Sequence, residues 1–109
     1  MLKFISTLIF ISSLFLSLSA SANQVFLTAT CSTAAALGQC TLLNDSQEVV
    51  TCDIMVEGQT RLGGIIHGYK TDTLYQGASS TVYIHNYNPI KDPLFYVMAK
   101  TICNSHLLN

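Results

Sequence analysis

From residue 23 onward, apolar and polar positions trade places with a period of two. In "NQVFLTATC" (23–31) Val25, Leu27, Ala29 and Cys31 fall on one side and Phe26, Thr28 and Thr30 on the other, the pattern of a strand with one face in a core. "STAAALG" is too short to stand as a helix and ends at Gly38, so it reads as a connecting loop with at most one turn. "QCTLLN" reads as a second short strand, and "NDSQ" as a turn, because Asn and Asp side chains mimic turn hydrogen bonds. The clearest alternation is "EVVTCDIMVEG" (48–58), with Val50, Cys52, Ile54 and Val56 on one face and Thr51, Asp53 and Glu57 on the other.

Beyond Gly58 the pattern blurs. Gly63, Gly64 and Gly68 weaken any regular strand and suggest bulges or sharp bends. A turn at Gln76-Gly77 precedes "STVYIHNY", where Val82 and Ile84 face inward and Thr81, Tyr83 and His85 outward. Both prolines after the leader fall in "NPIKDP", a loop. The last segment, "LFYVMAKTIC", is apolar on both faces, with Phe95, Val97, Ala99 and Cys103 on one and Leu94, Tyr96, Met98 and Ile102 on the other. Such a strand is expected to be central or covered on both sides. Six strand-like segments with short turns and no helix of note predict an all-β chain, an antiparallel sandwich or small barrel.

The first 22 residues follow a different rule. One lysine, a serine-diluted apolar run and the small residues Ala20-Ser21-Ala22 have the plan of a secretory signal peptide, so residues 1–22 are expected to be removed and the mature chain to begin at Asn23. The competing reading is an uncleaved anchor, since the apolar stretch approaches the lower limit for a span. The remaining residues, 23–109, are one domain's worth, located outside the cytoplasm in a secreted or periplasmic compartment. They carry four Lys and Arg against six Asp and Glu, a net charge of −2, which leaves little with which to hold a phosphate backbone; nucleic acid is a poor partner.

All four cysteines lie in this part, and in a small exported chain they predict two disulfides that supplement a modest core. No C-x-x-C pair is present to suggest zinc. Two pairings suit the pattern. If "NDSQ" is a hairpin turn, Cys40 and Cys52 stand opposite each other, with β-carbons about 4.5–5.5 Å apart, and Cys31 joins Cys103. Alternatively Cys31 pairs with Cys40 across the Ala-rich loop, and Cys52 with Cys103 from the shared apolar face. Asn44-Asp45-Ser46 is also an N-x-S sequon, which matters only where glycosylation machinery exists.

The succession "LLNDS", the alternating "VVTCDIMV", Gly58 and then "LYQGASSTVYI" resembles small immunoglobulin-like bacterial export domains of the FxLYD type. Asn44, Ser46, Leu74, Gly77, Ser79, Val82 and Ile84 carry the likeness over roughly residues 40–86. The namesake tetrapeptide is absent, Gln76 stands where proline is common, and the cysteines are additional. Pilus-chaperone-like and other immunoglobulin-like sandwiches share the same plan. The resemblance implies a β-sandwich of immunoglobulin-like type and a non-enzymatic envelope module.

Chemistry finds little support in the sequence. His67, His85 and His106 have no ligand spacing that suggests a shared metal site, and no serine sits in a G-x-S-x-G elbow. Asp53 and Glu57 share a strand face but lie on the order of 13 Å apart by strand rise, too far for a glycosidase pair. No cofactor is implied. Aromatic residues suggest a different role: Tyr83, His85 and Tyr87 share the outward register of one strand, and Tyr96 lies with Met98 on the second face of the last. If those strands are neighbours, these residues form an amphipathic platform for a protein or carbohydrate partner. The alternative is that a loop or strand covers them; an edge strand adding a partner's strand is a further route to binding. The sequence thus points to a secreted or envelope-associated binding or assembly module without catalysis, with a small secreted enzyme or enzyme inhibitor as the alternative.

Overall fold

The strongest alternation becomes the central strand. In the computed structural model, which describes residues 23–106, Val50, Cys52, Ile54 and Val56 are all buried to within 1% exposure, on a strand that runs Val50–Thr60. The expected leader, residues 1–22, lies outside the described residues. In chain order the strands are β1 Gln24–Val25, β2 Ala29–Thr33, β3 Leu37–Leu43, β4 Val50–Thr60, β5 Ile65–Leu74, β6 Ser79–His85 and β7 Leu94–Ser105. They form two antiparallel sheets, one ordered β1-β7-β4-β5 and one β2-β3-β6, whose inner faces share a single apolar core. The chain is all-β, as its period-two patterning predicts. Each fully buried Val, Leu or Ile side chain in that core contributes about 1.5–3 kcal/mol relative to exposure, and together they explain why the inward positions are so uniformly aliphatic.

The first segment keeps its alternation but divides between the sheets. Gln24 and Val25 pair with Asn104 and Cys103, whereas Ala29 to Thr33 pair with β3. Val25, Leu27, Ala29 and Cys31 nevertheless all pack against the same core, so the crossing does not disturb the inward side.

The hairpin expected at "NDSQ" does not form. β3 pairs with β2 and β6, and β4 pairs with β5 and β7, so the turn carries the chain from one sheet to the other. Both strands have a fully apolar face, and the two faces are satisfied by opposing one another across the core. The turn is held by Asn44, which is completely buried: its amide donates to the Glu48 and Leu74 carbonyls at 2.7 and 2.9 Å, and its Oδ1 accepts from the Ser46 N–H. A second asparagine does the same at the opposite end of the neighbouring strand. Asn86, one residue past β6, donates to the Ala35 and Asp92 carbonyls and accepts from the Asn88 N–H.

The loss of that hairpin also decides the disulfides. Cys40 and Cys52 lie in different sheets, and the bridges formed are Cys31–Cys40 and Cys52–Cys103. Each joins residues directly opposite one another on neighbouring strands, with Cα atoms 4.0 Å apart, near the closer of the two spacings that alternate along an antiparallel ladder. Both therefore staple strands within a sheet. Two disulfides are also a mark of an oxidising, extracytoplasmic setting, and among the described residues no helix is long and apolar enough to cross a membrane.

Three glycines line one packing site. Ile84, on β6, projects into a socket walled by Gly38, Gly58 and Gly68 from three different strands; a β-carbon on any of them would stand within 3.0 Å of its side chain. The glycines thus mark close approach between sheets, and β4 and β5 pair continuously through Gly58 and Gly68.

Candidate contact surface

β7 enters the four-stranded sheet through an irregularity. Its register against β4 shifts between Gln59 and Thr60, so Leu94 pairs with Thr60 and Tyr96 with Gln59, with Phe95 left between them. The result departs from simple alternation: Leu94 is buried with Val97, while Phe95 and Tyr96 are both exposed. Beyond the shift, Met98, Lys100 and Ile102 continue outward. The strand that reads as covered on both sides has one face open to solvent.

That open face extends across three strands. The register sets Lys100, Met55 and Tyr69 in one cross-strand row, Met98, Glu57 and His67 in the next, and Tyr96, Gln59 and Ile65 in the third. Met55, Met98, Tyr96, Ile65 and Tyr69 are 41 to 61% exposed. Ile102 lies one row further back, and Phe95 and Leu62 stand at the far end. Isolated exposed apolar residues are ordinary, but a contiguous group of this size is the kind of surface that marks an interaction site.

Polar groups punctuate the face. Glu57 Oε1 lies 3.4 Å from His67 Nε2, an ion pair when the imidazole is protonated. These two residues, with Met55, Met98 and Lys100, line a shallow hollow of about 300 Å³. Asp53 is occupied by neighbours on β5, accepting from the hydroxyls of Tyr69 and Thr71. Among the described residues Lys100 makes no ion pair.

The other sheet presents a different exterior. Its outward positions include Thr30, Ser32, Leu37, Gln39, Thr41, the half-exposed Leu43, Thr81 and Tyr83, and Thr41 and Thr81 hydrogen-bond across β3 and β6. Tyr83 is 54% exposed and Tyr87, in the loop after β6, is 92% exposed; the His85 and Tyr87 rings stack with centroids 6.3 Å apart. Three members of the expected platform, Tyr83, His85 and Tyr87, therefore stay together. Tyr96 does not join them, because β6 and β7 belong to different sheets and their outward faces lie on opposite sides of the sandwich.

The remaining histidines are dispersed. His67 is on the apolar exterior, His85 on the polar one, and His106 follows β7 with its Nε2 against the Thr51 hydroxyl. Among the described residues no group of three His, Cys, Asp or Glu side chains converges as metal ligands do. Asn44 of the sequon is buried with both amide hydrogens directed at carbonyls, which leaves no room for a glycan in the folded chain.

The alternation of the last segment puts Tyr96, Met98 and Ile102 on one face, but the β4 and β5 half of the apolar exterior escapes a strand-by-strand reading. Met55 occupies an outward position in a strand whose other outward residues are polar, and Ile65 and Tyr69 lie in the glycine-rich stretch where strand limits are unclear. The available signal was Met55 itself, an apolar residue out of phase in the best-defined alternation. No known protein family, curated protein or solved structure matches the chain.

Proposed function

We propose that this chain is a secreted or periplasmic, non-catalytic binding or assembly module of immunoglobulin-like type, and that it makes contact through the exterior of the four-stranded sheet. The observation that carries the reading is the contrast between the two exteriors. One is mostly hydroxyl and amide, with Leu43 and Tyr83 exposed at separate points; the other exposes Met55, Ile65, Tyr69, Tyr96, Met98 and Ile102 on adjacent strands. Aromatic residues and methionine are enriched in protein–protein contacts, and charged residues are depleted from their centres. The strand crossings between sheets support an immunoglobulin-like arrangement, although both disulfides lie within sheets instead of bridging them. Resemblance to export domains of the FxLYD type supports the same non-enzymatic role, and the leader-like N-terminus with two disulfides supports export.

A photo-reactive phenylalanine analogue placed at Tyr69, and separately at Thr41 on the opposite exterior, tests this reading in cells exporting the protein. Adducts are expected from position 69 and not from position 41. Equal yields, or none from position 69, would remove the assignment of the contact face.

A further inference from the structure

We infer that the occupant of this face is a second copy of the same chain, packed sheet against sheet about a twofold axis; the inference rests on the contact face proposed above. Charge is the first argument. Lys100 on β7 and Glu57 on β4 occupy adjacent rows of adjacent strands. An axis lying in the plane of the interface, across the strands and between those rows, exchanges the rows and brings Lys100 of each copy beside Glu57 of the other. Lys100 has no ion pair within its own described chain, and Glu57 has only the exposed His67. An isologous contact thus supplies the missing counter-charge twice.

The same operation sets Ile102 of each copy over Tyr96 of the other and lays the Met55 and Met98 side chains against Glu57 and Lys100 of the facing copy, unbranched thioethers that adapt to what they meet. Three strands spaced at about 4.8 Å and a run of nine residues at about 3.4 Å each give a projected footprint on the order of 400 Å². That is about half of the ~800 Å² per partner of a tight interface, so the dimer is expected to be a weak, concentration-dependent one. The exterior carries Lys100 against Asp53 and Glu57, so a strongly acidic partner, including an anionic lipid surface, finds no matching field there, whereas a second copy offers one lysine and one glutamate in the positions that pair. Twofold dimers are the commonest symmetric assembly of soluble chains.

Sedimentation velocity on the exported, oxidised protein across a concentration series tests the proposal. The parent is expected to dimerise, Met98→Lys, which faces Lys100 of the other copy, to weaken association at least tenfold, and Lys100→Glu to weaken it similarly. Combining Lys100→Glu with Glu57→Lys should restore it, because the swap preserves the trans pairs. Near-unchanged melting temperatures establish that these exposed substitutions leave the fold intact. A parent that stays monomeric overturns the dimer, as does a double variant no better than Lys100→Glu alone. The cross-linking at position 69 then separates the two ideas: an adduct with twice the protomer mass supports the dimer, an adduct of any other mass sinks the dimer while leaving the contact face standing, and no adduct sinks both.

Discussion

The Cδ1 atom of Ile84 lies 2.5 Å from the place a β-carbon on Gly58 would occupy. The two residues sit in different sheets, and their approach brings those sheets together toward one end of the sandwich. Ile84 has little freedom to move aside, because its Cγ2 and Cγ1 are held against Gly68 and Gly38 in the same way.

Gly58→Ala is therefore expected to overpack the core and to cost about 1–3 kcal/mol. Ile84→Val, which removes the obstructing methyl, costs about 0.5–1.5 kcal/mol alone. Combined, the two changes should cost clearly less than their separate effects added, since they couple through one contact. Urea unfolding of the four proteins measures this; strict additivity would show that the socket is not the reason for the glycine.

The fold class was legible because β4, β6 and the inward side of β2 and β3 alternate cleanly, and a period of two permits little else. What was not legible was partner choice. The sequence around Asn44 has the composition of a hairpin turn, and local symmetry placed Cys40 opposite Cys52; yet two strands with equally apolar faces are better buried against each other across a core than side by side. That long-range preference leaves no local mark, and it also separated Tyr96 from Tyr83. Gly68 misled for a related reason: it looks like a weak point in a strand, but the side chain that requires it, Ile84, comes from the other sheet.

Tyr83 and Tyr87 make no contribution to the core, being half-exposed and almost fully exposed respectively. Tyr83→Ala and Tyr87→Ala should leave stability within about 0.5 kcal/mol of the parent, the usual range for surface changes. Thermal melts of both variants check this. A large drop in either would mean that the outer side of β6 is covered.

The two disulfides should differ in worth. By loop-closure entropy, the 51-residue separation of Cys52–Cys103 corresponds to about 4 kcal/mol and the nine-residue separation of Cys31–Cys40 to about 2.5 kcal/mol. Cys52→Ala/Cys103→Ala also removes two completely enclosed sulfurs beside Val50 and Ile54, whereas Cys31 lies nearer the surface. Denaturant midpoints of the two double variants should rank accordingly, with the Cys52–Cys103 variant the less stable or unfolded. The reverse ranking would contradict this assignment of the principal staple, and a count of four free thiols in the native exported protein would contradict both bridges.

Asn44 and Asn86 hold the two ends of the β3–β6 pair by the same means, each donating to two main-chain carbonyls and accepting from the N–H two residues on. Asn44 is the more enclosed, and Asn44→Ala removes the buried donor to the Leu74 carbonyl, while the Glu48 carbonyl keeps the Ser46 hydroxyl. Leaving a buried partner unsatisfied costs about 1–3 kcal/mol, so Asn44→Ala should be destabilised by at least that much and Asn86→Ala by less. Asn44→Asp should fail to rescue, because a carboxylate replaces the donor with an acceptor aimed at carbonyl oxygens. The same geometry forbids modification: a glycan on Nδ2 would consume one of the two donated hydrogens and require space that the core fills. Expressed through a glycosylating secretory pathway, the folded protein should show the unmodified mass at Asn44; an occupied sequon in soluble, disulfide-bonded protein would mean that this turn is not closed as described.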